Sequence, residues 1–126
     1  MKSLFFNAKE NQFEIIETMK PDLQLFYKKI ECDCIDIAVR KIDGKAFNII
    51  LDNEGLLKED PIVSAIDGNG DPMLVGNLMF FGGETTEDGE LVGLTDAEID
   101  HILRSVGVAV VYTDGFSHTV IMNCEY

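Results

Sequence analysis

Apolar and polar positions alternate or recur along this chain in patterns that name most of its elements. Residues 3–8 and 12–17 are two apolar-rich runs around a polar tip, Lys9-Glu10-Asn11, which predicts a β-hairpin. Leu23, Phe26, Tyr27 and Ile30 follow at i, i+3, i+4 and i+7, with Pro21 suited to a first helical turn, so a helix is expected over 21–31. Residues 32–42 alternate. Ile35, Ile37 and Val39 share one face, and Cys34, Asp36, Ala38 and Arg40 the other, the pattern of a half-buried strand. Asp43-Gly44 predicts a tight turn into a return strand, 46–51, with Phe47, Ile49 and Leu51 on one face. Asp52-Asn53-Glu54-Gly55 then breaks the pattern.

Beyond residue 55 the signals are weaker. Pro61 cannot serve a central strand, so Ile62–Ile66 reads as a short edge strand or a turn. Asp67-Gly68-Asn69-Gly70-Asp71-Pro72 is a turn by composition. The apolar run Met73–Phe81 reads as one strand ended by Gly82-Gly83, and Glu84–Glu90 as an acidic loop. Thr95 and Glu98 have capping-box spacing, with Leu94 and Ile99 at the hydrophobic-staple positions. Ile99, Ile102, Leu103 and Val106 make the expected buried stripe, and Gly107 the expected helix stop. Val108–Thr113 and Phe116–Cys124 read as strands around Asp114-Gly115. The elements together predict an α+β fold, a mainly antiparallel sheet with two helices, in a single domain over 1–126.

Charge changes this picture, because it is uneven. The chain has 126 residues and a formal net charge of −13. Residues 1–51 hold eight basic and eight acidic side chains, whereas residues 52–100 hold thirteen acidic ones and a single cation, Lys58. A solvated acidic surface explains such a segment, and so does a surface that meets a basic partner. Direct nucleic-acid binding is disfavoured, since phosphate contacts need clustered cations and those here are interleaved with acids. No apolar run approaches the ~20 residues of a membrane span, and the apolar start at Leu4 stops at Asn7, short of a signal peptide. The reading is a cytoplasmic protein.

Candidate chemistry is sparse. Cys32, Cys34 and Cys124 are odd in number and lack the CxxC spacing, which favours free thiols in a reducing compartment over a zinc site. Asp67, Asn69 and Asp71 imitate the start of a calcium loop, but Pro72 and Leu78 stand where Gly and Glu are needed. His101 and His118 have no motif partner and read as surface histidines. Gly82-Gly83 precedes acids rather than a helix, so it is not a phosphate loop. No catalytic residue, metal site or cofactor is expected. The best candidate partner-binding residues are Glu84, Glu87, Asp88 and Glu90.

The order of features from Cys32 to Leu103 resembles DUF3846, a phage and mobile-element domain of unknown function. The resemblance is carried by Leu51-Asp52-Asn53-Glu54-Gly55, Asp60-Pro61, Gly70-Asp71-Pro72, the strand Gly76-Asn77-Leu78-Met79-Phe80-Phe81, and Leu94-Thr95-Asp96. It extends more loosely over residues 1–105, and the last hairpin, 107–126, goes beyond it. It implies a bacterial mobile element and the host cytoplasm, and it brings no catalytic residues. The functional expectation is a non-enzymatic binding protein, with an acidic-surface inhibitor of a basic host protein as its sharpest form. The alternative is a small-ligand-binding domain with a pocket between sheet and helices.

Overall fold

A computed structural model describes residues 1–32, 34–53, 62–110 and 117–126, with backbone alone for Ala109 and Val110. The N-terminal hairpin is β1 (Lys2–Asn7) and β2 (Gln12–Glu17), antiparallel with Leu4 opposite Ile15 and Phe6 opposite Phe13. Asn11 turns it with φ 55°. Helix α1 (Leu23–Ile30) follows. It starts two residues later than Pro21 suggests, because Asp22 is the N-cap and accepts from the Gln24 and Leu25 amides. Strands β3 (Ile35–Ile42) and β4 (Lys45–Asp52) form the second hairpin. Asp43 and Gly44 both take positive φ there, 48° and 84°, as a type I′ turn requires.

Three sequence expectations change in the middle of the chain. Strand β5 (Val63–Ile66) is buried throughout and lies between two neighbours, so it is a central strand rather than an edge or a turn. The run Met73–Phe81 is two strands, β6 (Pro72–Val75) and β7 (Leu78–Gly82), in different sheets. Gly76, with φ 80°, makes the break. Asn77 fixes it, accepting from the Ala8 amide at 3.0 Å and donating to the Lys29 carbonyl at 3.0 Å. Helix α2 (Asp96–Arg104) has the expected capping box, with Leu94 and Ile99 both buried. Gly107 does not stop it. Ser105 is the C-cap, and Gly107 lies inside β8 (Val106–Val110), where a side chain would collide with Met122.

The chain ends in β9 (Ser117–Ile121) and β10 (Cys124–Glu125), where one strand, Phe116–Cys124, was expected. The Asp114-Gly115 turn and Pro61 lie outside the described residues. One sheet runs β10-β3-β4-β7-β1-β2 and is antiparallel throughout. The other runs β6-β5-β9-β8, with one parallel pairing, β5 to β9.

Alternation along the strands of the larger sheet sends apolar side chains to both of its faces. Leu4, Phe6, Phe47, Ile49, Leu78 and Phe80 face the smaller sheet and α2, meeting Ala65, Ile99, Ile102 and Ile121. Phe5, Ile50, Met79 and Phe81 face the other way and meet Phe26 and Ile30 of α1. The fold is therefore α1, then the six-stranded sheet, then the second sheet with α2.

Candidate functional site

The acidic loop is a closed hairpin. Gly82 N–H donates to the Val92 carbonyl at 2.8 Å, and Thr85 and Leu91 form a bridge. At the tip, the Glu90 amide donates to the Thr86 hydroxyl at 3.0 Å, and Gly89 has φ 80°. Glu84, Glu87, Asp88 and Glu90 are all exposed on this hairpin, and none is in an ion pair among the described residues. The acids of α2 are different. Asp96 accepts from Lys2 at 2.9 Å, Asp100 from Arg104 at 2.7 Å, and Glu98 lies 4.0 Å from Lys45. The hydrogen bond and charge of Asp96 raise the Lys2 pKa. Asp67 is also committed: its carboxylate accepts from the Asn69 and Asp71 amides at 2.8 and 2.9 Å, an Asx turn.

A cleft of about 710 Å³ lies between α2 and the adjoining ends of β4 and β7. Lys45, Glu84, Glu98 and His101 line it over Gly82, Gly83 and Gly93. His101 is half-buried, not a plain surface residue. Its Nε2 is 2.8 Å from the Ile42 carbonyl, and its ring lies 6.1 Å from that of Phe47. A carbonyl only accepts, so Nε2 carries the proton. Glu98 Oε1 accepts from the Thr95 amide at 3.0 Å. Both side chains are thus held by structural partners. Sequence reasoning missed this cleft, although Glu98 and His101 at i, i+3 share a helix face, which was the available signal.

The other candidates do not converge. Cys124 packs in the core on one face of the larger sheet, and Cys32 against the cluster on the opposite face. The sheet thus separates Cys32 from Cys124. Cys32 and Cys34 precede β3 rather than lying on it, and the Cys32 thiol is 3.4 Å from the Cys34 carbonyl. His118 is half-buried on β9. Among the described residues no three His, Cys, Asp or Glu side chains gather as metal ligands, and no helix is long and apolar enough to cross a membrane.

No curated protein and no solved structure matches the chain. A family model described as a domain of unknown function, DUF3846, matches residues 1–107, and the chain belongs to that family.

Proposed function

We propose that this is a non-enzymatic binding protein that presents the hairpin carrying Glu84, Glu87, Asp88 and Glu90 to a positively charged protein partner. One observation carries the reading. These four carboxylates stand exposed and outside the ion pairs of the described residues, whereas each α2 acid has a cation of the fold within 4.0 Å. A partner's Lys or Arg would relieve their mutual repulsion and gain association rate by steering. The mobile-element setting implied by the resemblance favours a host protein as target and the bacterial cytoplasm as the place of encounter. Glu98 and His101, two titratable side chains of the cleft, already serve the fold, which supports binding over catalysis.

The variant E84Q/E87Q/D88N/E90Q tests it. Its Tm should equal or exceed that of the parent, because charge repulsion is removed from a surface hairpin. In pull-downs from bacterial lysate at low salt, the parent should retain basic proteins that the variant does not. Those proteins should be released as salt rises, since exposed charges are screened beyond about 8 Å at physiological ionic strength. Identical retained sets would reduce the hairpin to a solubilising surface. The cleft beside α2 supports a second reading, a small-ligand-binding domain, because its volume is that of a ligand pocket. A thermal shift with a nucleotide or metabolite that disappears in Lys45→Ala would favour that reading.

A further inference from the structure

We infer that the groove between α1, β3 and the acidic hairpin is a docking site for an amphipathic basic segment of a partner protein. The inference rests on the acidic-surface reading above and adds the shape of what binds.

The groove follows from a mismatch of lengths. Helix α1 has eight residues, about 12 Å of axis, whereas six strands at ~4.8 Å spacing make a sheet twice as wide. Its buried side chains, Phe26 and Ile30, sit with Ile50, Met79 and Phe81 over the middle of the sheet. Strand β3 lies further out. Ile37 is opposite Ile50 and Val39 opposite Asn48, and directly paired residues share a face. Ile37 and Val39 therefore point to the helix side yet remain 50% and 54% exposed. Leu23, the first residue of α1, is 60% exposed. A hollow of about 300 Å³ results, floored by Phe26 and Ile50 and walled by Leu23, Ile35, Ile37 and Leu91. Contiguous exposed apolar surface of this kind marks interaction sites.

Charge selects the occupant. The hairpin forms one wall: Gly89, Glu90 and Leu91 line the hollow, with Glu87 and Asp88 on the same turn. Among the described residues, Lys20 is the cation in the lining. Apolar side chains in the hollow would thus carry neighbouring Lys or Arg to the carboxylates, the arrangement of an amphipathic segment laid in a groove. A second copy of the chain fits poorly, because each copy has a net charge of −13 and the two hairpins would meet. An anionic membrane surface is repelled for the same reason.

The test uses the full chain as bait for a random peptide library displayed on phage. L23S/I37S serves as the counter-bait, since both positions are exposed enough for folding to survive, checked by an unchanged Tm. The expected result is enrichment of peptides that combine leucine-like residues at helical or alternating spacing with Lys and Arg. Synthesised, these should bind L23S/I37S and E84Q/E87Q/D88N/E90Q each about tenfold more weakly than the parent, and should bind Val108→Ser unchanged. Peptides weakened by the hairpin variant but not by L23S/I37S would overturn the groove and leave the acidic-surface reading standing. Peptides weakened by L23S/I37S but indifferent to the hairpin, or enriched in acids, would overturn the basic occupant. An absence of enrichment over the counter-bait, or a dimer in sedimentation that L23S/I37S dissolves, would overturn the proposal.

Discussion

Gly83 follows β7 where that strand's end runs against the start of β4. A Cβ there would collide with the carbonyl carbon and oxygen of Ala46, and backbone atoms cannot move aside as a flexible side chain does. Gly83→Ala should therefore destabilise by about 1–3 kcal/mol, read from urea denaturation. An unchanged midpoint would mean that this end of the sheet yields freely. The sequence marks Gly82-Gly83 as a strand end, but the close approach depends on the register of β4 with β7, which no local pattern encodes. Cys124 behaves similarly: its burial was invisible because it depends on β10 crossing to the larger sheet. Burial, opposed by the Arg40 charge and helped by Glu125 and Asp67, pushes the thiol up to about 11. Iodoacetamide followed by mass spectrometry should accordingly modify exposed Cys34 first and Cys124 last. The sign with pH follows from the raised value. The unfolded thiol loses its proton near 9 and the folded one near 11, so stability should fall as pH rises through that window. Cys124→Ala should flatten that slope; an unaltered slope would count against a buried neutral thiol.

Elements were legible where their causes are local. Asp43-Gly44 specifies a turn through two positive φ values, and the hairpin forms around it. Thr95, Glu98, Leu94 and Ile99 specify a helix start within six residues, and Thr95 Oγ1 accepts from the Glu98 amide at 3.1 Å. Thr95→Ala should destabilise by about 0.5–2 kcal/mol in urea denaturation, and no change would remove the cap from the account. Elements were illegible where the cause lies elsewhere in the chain. Within Met73–Phe81, Gly76-Asn77 is a turn-prone pair, but flanked by apolar residues on both sides it reads equally as a bulge inside one strand. The break is held by Asn77, whose partners Ala8 and Lys29 are distant in sequence. Strand β3 failed differently. Its alternation is plain in the sequence, but Ile37 and Val39 point to a face that α1 is too short to cover. The groove is the part of that face that the helix leaves uncovered.

At the scale of the molecule, the resemblance and the fold divide the chain in different places. The family model ends at residue 107, and the sequence suggested an additional hairpin beyond it. Yet β9 stands between β5 and β8 in the smaller sheet, and β10 pairs with β3 at the edge of the larger one. Val120, Ile121 and Cys124 are fully buried, and Ile121 and Cys124 share a cluster with Phe6, Phe47 and Phe80. A chain ending at Gly107 would lose the neighbour that β5 has in β9 and open the core beneath both sheets. Removing one large core side chain costs roughly 2–5 kcal/mol, and a domain's whole stability is about 5–15 kcal/mol. Loss of two buried aliphatic side chains, a buried thiol and a central strand exceeds that margin. The truncated protein should show no cooperative thermal transition and weak near-ultraviolet circular dichroism, with dye binding to exposed apolar surface. A sharp transition at the parent's Tm would instead make residues 108–126 an appendage, and the 1–107 segment a domain able to close its own core.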